Sequence, residues 1–149
     1  MSAHPLTPES LTRFLHEQIP LCAAMALEVQ SVDERRLVVH APLAPNRNPH
    51  GTVFGGSLAT LGIVAGWTLL YRALAQAGRD AALVIQHYDC DYLAPAAAAF
   101  EAEASLPDDW PALLSRFDSR GRMRCDVPVV LRSGDKHVLS GTARYVARR

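Results

Sequence analysis

The spacing of apolar residues changes period twice along the chain. Leu11, Phe14, Leu15 and Ile19 fall on one face of a helix. Thr7 is its expected N-cap, with Pro8 in the first turn and Glu9 near the positive end, and Pro20 ends it. Residues 25–32 and 36–41 then read as two strands around the polar Asp33-Glu34-Arg35 turn. From 57 to 76 the period becomes helical again, but there is no acid and Arg72 is the only charge. A helix apolar nearly all round is buried on most sides, and at about 1.5 Å per residue it crosses a small domain. Gly62 and Gly66 give it a small-residue face that a sheet can approach closely, and Gly78 closes it as a C′ glycine.

Beyond the helix the period falls to two. Residues 82–93 predict a long strand ended by Ala94-Pro95, and 100–105 a second in which Glu101 and Glu103 alternate with Phe100, Ala102 and Ala104. Trp110, Leu113, Leu114 and Phe117 predict a short helix within 107–119. Residues 122–132 and 136–147 are strands joined by the Ser133-Gly134-Asp135 turn. One nearly apolar helix and about six strands, several of them consecutive, predict an α+β domain with an antiparallel sheet wrapped around the helix, and exclude a regular βαβ winding. No repeat or boundary divides residues 1–149, so a single domain is expected.

Charge narrows the function. A formal net charge of zero offers no basic footprint for nucleic acid and no electrostatic docking to anionic lipid. The apolar run 58–71 is shorter than the roughly 18 residues a membrane-spanning helix needs, and Met1-Ser-Ala-His-Pro-Leu-Thr-Pro carries no leader pattern. Cys22, Cys90 and Cys125 include no C-x-x-C pair, which fits a cytoplasmic location with cysteines serving as small buried hydrophobes.

The loop 42–56, rich in Pro, Asn and Gly, is too long for a plain connector, and loops of that kind tend to carry function. Its end, Asn48-Pro-His-Gly-Thr-Val-Phe-Gly-Gly-Ser-Leu, leads into the long helix, and Asp91-Tyr-Leu-Ala-Pro closes the next strand. With these motifs the chain resembles the hotdog-fold thioesterases, and in particular the thioesterase domain of YiiD C-terminal type, found alone or fused behind an acetyltransferase domain. The likeness spans about residues 11–145. It implies a homodimer or dimer of dimers with paired sheets, and an acyl-CoA or acyl-carrier-protein thioester at the dimer interface with its carbonyl near the helix N-terminus. CoA enters as substrate, and no cofactor or metal is called for.

Thioester hydrolysis needs an oxyanion stabiliser, a group that activates water, and a channel. Gly55, Gly56 and Ser57 suit the first: N–H groups at a helix start, backed by its dipole, can face developing negative charge, and glycine lets the backbone come close. Ser57 also reads as a plain N-cap. Many hotdog thioesterases carry an acid about two turns into the helix, where this chain has Leu61-Gly-Ile-Val-Ala-Gly. Water must therefore be managed from elsewhere: by Asn48 or His50 in the loop, by Thr60, which can instead bond back to its own backbone, or by Asp89. His87, Asp89 and Asp91 alternate along one strand after Leu83 and Ile85, so all five are expected on one face, as a catalytic patch, a metal site or a solvated surface. Gly51, Thr52, Phe54 and Asp91 are candidate substrate contacts. Arg122, in a basic group with Arg116, Arg120 and Arg124, is a candidate for CoA phosphate. The leading function is thioester hydrolysis. The alternatives are a non-catalytic acyl or CoA-binding module, and a hydratase or dehydratase, which the acid-free helix disfavours.

Overall fold

A computed structural model describes residues 6–149, and the leader reading at Met1–Pro5 lies outside them. The chain forms α1 (Pro8–Gln18), α2 (Pro20–Ala24), β1 (Glu28–Val32), β2 (Arg36–Ala41), α3 (Gly55–Gln76), β3 (Ala82–Tyr92), β4 (Phe100–Ser105), α4 (Trp110–Arg120), β5 (Arg122–Ser133) and β6 (Lys136–Arg148). The strands make one antiparallel sheet in the order β1-β2-β4-β5-β6-β3, and α3 packs against β2 through β6. This is the hotdog arrangement expected from the sequence.

Local signals explain most boundaries. Thr7 caps α1 in a reciprocal capping box with Ser10. Pro20 ends that helix and also opens α2, since a proline fits the first turn of a new helix. Gly78 and Gly134 take positive φ after α3 and in the β5–β6 turn, and Gly121 does so at the end of α4.

Helix α3 starts at Gly55 rather than at Ser57. Phe54 occupies the N-cap position with no side-chain cap, because its N–H is held by the Asn46 carbonyl (2.7 Å) and its own carbonyl accepts from Ser57 and Leu58. The helix is 22 residues long, and by length and composition alone it could cross a membrane. Here its apolar side lies on the sheet: Leu58, Leu61, Ala65, Leu69 and Leu70 are buried against strand residues such as Leu37, Val39, Ala102, Val129 and Leu131. The glycines allow the close approach. A Cβ on Gly62 would stand 2.5 Å from the Tyr88 hydroxyl, and one on Gly66 2.4 Å from that of Tyr145. The Tyr145 hydroxyl donates to the Ile63 carbonyl at 2.5 Å, tying β6 to the middle of α3.

Strand β3 corrects one expectation. Its register with β6 shifts between Ile85 and His87, so a bulge at Gln86 exchanges its two faces. Before it, Leu83 and Ile85 share the helix-facing side with their partners Ala147 and Tyr145. After it, that side is taken by Tyr88, Cys90 and Tyr92, opposite Ala143, Gly141 and Leu139. His87, Asp89 and Asp91 pair with Arg144, Thr142 and Ser140 on the outer face. They do not share a face with Leu83 and Ile85.

Candidate active site

The loop before α3 builds itself from the side chain expected to manage water. Asn48 Oδ1 accepts from the N–H groups of His50 (2.9 Å) and Thr52 (3.1 Å), and its Nδ2 donates to Thr52 Oγ1 (2.7 Å). Its amide is committed on both ends, which makes it the keystone of a tight turn. Gly51 completes that turn at φ +80, a conformation strained for other residues. Thr52 is held by the same bonds. His50 sits exposed at the tip, and its imidazole has no partner among the described residues.

Two further contacts fix where the loop delivers the helix. The Val53 N–H donates to Ala96 (2.8 Å) in the segment after β3. Buried Asn46 donates from Nδ2 to the Met25 (3.0 Å) and Pro42 (2.8 Å) carbonyls, while its backbone carbonyl receives Phe54. Asn46 escaped the sequence reading because nothing separates it from the other polar residues of the loop.

At the helix start itself, the N–H groups of Gly55 and Gly56 find no acceptor among the described residues. They are the open donors that a helix N-terminus leaves, at the positive end of a 22-residue dipole. Aromatic side chains frame them. The Phe54 ring lies over Gly56, where a Cβ would meet it at 2.3 Å, and Phe54 is 58% exposed. Tyr92, the last residue of β3, donates its hydroxyl to the Gly55 carbonyl at 2.9 Å, with its ring packed beside Gly55. Tyr92 belongs to the strand-closing motif, but alternation along β3 gives no sign that it faces the site. The swap of faces at Gln86 is what turns it inward.

The remaining candidates fall in three places. Thr60 donates back to the Gly56 carbonyl at 2.7 Å, the local alternative the sequence allowed. Ser57 lies in the first turn and is not the cap. Asp89, Asp91 and Arg122 are exposed on the outer side of the sheet, away from α3. There Asp89 and His87 line a polar trough with Asp126 and Arg144. The Arg144 guanidinium grips Asp126 at 2.8 and 3.3 Å and holds its carboxyl below the usual range. Arg122 pairs with Arg148, which pairs with Ala82, so it stands at the opposite end of β3 from Tyr92. Within this chain, none of these three reaches the helix start. Among the described residues, no group of three or more His, Cys, Asp or Glu is placed to hold a metal.

Titration also argues against a cysteine nucleophile. Burial pushes the Cys22 thiol up to about 11 and Cys125 to about 12. Cys90, between Tyr88 and Tyr92 on the helix-facing side, is raised by desolvation and by the nearby Asp91 and Asp89 charges. A thiol that attacks a carbonyl needs the opposite shift.

Comparison with known proteins adds the family. A family model described as "Putative thioesterase (yiiD_Cterm)" matches residues 8–149. A solved structure described as a putative thioesterase from Shewanella oneidensis is 29% identical, with TM-score 0.86 over 95% of this chain and 97% of that one. A protein of unknown function from Chlorobaculum tepidum TLS superposes at TM-score 0.89 with 24% identity, covering 97% of this chain and 98% of that one. A probable thioesterase from Pseudomonas aeruginosa gives 0.84 with 21% identity over 99% of both. The last two likenesses bear on the fold.

Proposed function

The chain belongs to this family of thioesterases, and on that premise we propose that it hydrolyses acyl-CoA or acyl-carrier-protein thioesters at a site formed by α3 and completed by a second copy. The observation that carries the reading is the pair of open N–H groups at Gly55 and Gly56, on a helix start framed by Phe54 and Tyr92. A thioester carbonyl seated there becomes an oxyanion when water adds to its carbon, and the two N–H groups with the α3 dipole stabilise that charge. Removing one such donor in other enzymes costs about 10²–10³ in rate. Collapse of the tetrahedral intermediate breaks the carbon–sulfur bond and releases the thiol and the carboxylic acid.

Taking the proton from water falls to His50. It is the histidine of the loop, and its side chain has no partner among the described residues, whereas Asn48 is consumed by its turn and Asp89 lies on the outer face of the sheet. An imidazole has a ring nitrogen that can accept a proton from water as a general base. A second copy is supported by β3, an edge strand of 11 residues whose outer hydrogen-bonding side is unpaired. Val84, Ile85 and Tyr92 are exposed along it, and Leu93 is exposed just beyond its end. Such an edge is a template for pairing with another chain. No cofactor enters this chemistry, and the cytoplasm supplies acyl-CoA to a chain whose cysteines are free.

One observation favours a second reading. Among the described residues no carboxylate stands at the helix start, which is what a non-catalytic acyl-CoA-binding module would show. Thiol release from a panel of acyl-CoA thioesters separates the two. Turnover is expected, with His50→Ala lowering kcat by about 10²–10⁴. Tight CoA binding without thiol release from any member sinks hydrolysis in favour of the binding module.

A further inference from the structure

Along α3 the half-buried positions Gly56, Ala59, Thr60, Ile63, Trp67 and Tyr71 recur at intervals of three and four. They form one stripe that runs from the glycine donors up the helix. Its upper part borders a groove of about 380 Å³ lined by Ile19, Ile63, Val64, Trp67, Leu83, Val84 and Ile85, every one apolar. Thr60 does not interrupt the stripe with a free donor, because its hydroxyl is turned back onto the Gly56 carbonyl.

Of the α3 residues that line the groove, Trp67 is the one farthest from Gly56, and its ring is held in place. Trp67 Nε1 donates to the Leu83 carbonyl at 2.9 Å, so the indole bridges α3 and β3. Behind it stand Tyr71, stacked on Trp67 at 5.2 Å between centroids, and Phe14, stacked on Tyr71 at 4.8 Å, with interplanar angles of 9° and 12°. An indole held by a hydrogen bond and a three-ring stack does not swing aside for a longer ligand.

We propose that this groove holds the acyl tail of the substrate and that Trp67 is the stop that sets its length, which makes the chain selective for medium-length acyl groups without polar or charged substituents. The inference rests on the thioester reading above. Continuity of the stripe with the carbonyl seat identifies the occupant as the tail of the same molecule. The lining has no group to satisfy a polar or charged acyl chain, and an unpaired polar group there would be penalised. Length follows from the helix. Gly56 and Trp67 are separated by about 16 Å at 1.5 Å per residue. Allowing about 3.5 Å for contact with the indole face, an extended tail with C–C bonds of about 1.5 Å advances about 1.25 Å per carbon and fills the space at about ten carbons.

The test uses the whole chain and a series of saturated acyl-CoA thioethers, which cannot be hydrolysed, from about four to about sixteen carbons. Affinity is read by calorimetry, and Trp67 emission in a Trp110→Phe background, since the chain has two tryptophans. Affinity is expected to rise about fourfold per added carbon until about ten, then level off, with Trp67 emission changing as the tail arrives. Trp67→Ala moves that break to longer tails. Ile63→Phe, which narrows the groove nearer the donors, moves it to shorter ones and keeps the test open if Trp67→Ala fails to fold. Affinity independent of tail length, no binding of any thioether, or a break that neither substitution shifts overturns the proposal. Length-dependent binding without turnover of the matching thioesters would leave this inference standing and sink the hydrolysis. Turnover with length-independent binding would do the reverse.

Discussion

The two faces of β3 differ in chemistry and in what holds them. Toward the helix, Tyr88, Cys90 and Tyr92 pack beneath and beside the first turns of α3, and all three have raised pKa values led by desolvation. Away from it, His87, Asp89 and Asp91 stand exposed among Arg144, Thr142 and Ser140. Acids and a histidine thus gather on the outer face, while the open donors and the apolar groove lie on the inner. For this strand, a cluster of acids and a histidine marks solvent, and two tyrosines mark the site.

That contrast can be broken at its strongest point by Tyr145→Ala. The substitution removes a fully buried ring on the inner face of the neighbouring strand and its bond to the Ile63 carbonyl. Stability in urea is expected to fall by about 3–5 kcal/mol. A loss below about 1 kcal/mol would mean that the inner face is not the packed one. A smaller effect, of opposite sign, is expected at Tyr88. Its hydroxyl is buried with no hydrogen-bond partner among the described residues, and burial drives its pKa far above that of a free phenol. Tyr88→Phe therefore leaves stability unchanged or raises it by about 1 kcal/mol, as read from the denaturation midpoint. A clear loss would show that the hydroxyl has a bonding role. The smallest effect belongs to the outer face. Asp89→Asn and His87→Ala should each shift stability by less than about 0.5 kcal/mol, with thioester turnover unaltered. If Asp89→Asn abolishes turnover, the site is not confined to the helix side of the sheet.

The sequence made the architecture legible where period and punctuation agreed. β2 and β4 fall at their expected bounds because alternation is clean and Ala41 and Ser105 abut polar or proline-containing segments. Helix α3 stood out because its charge is confined to Arg72. What escaped depended on bonds between distant backbone groups. The Asn46–Phe54 bond starts α3 two residues before Ser57, where a conventional capping residue stands. The bulge at Gln86 lies in a run with no glycine to announce it. A one-residue slip reverses every later side chain, so the misplaced Asp89 and the missed Tyr92 are one error seen from both faces. The bridge from Trp67 to Leu83 joins residues 16 apart across two elements and needs the fold to be visible.

The strand order also bears on how the chain folds. Strand β3 follows α3 directly, yet its partner is β6, which comes only after β4, α4 and β5. Until β6 is in place, β3 has no strand of its own chain to bond to, and the side of α3 that rests on Tyr145 stays uncovered. Closing such a long loop costs chain entropy before any contact repays it, and topologies of this kind fold slowly. A long apolar helix waiting for the last strand is the exposed surface through which such a chain would aggregate during synthesis.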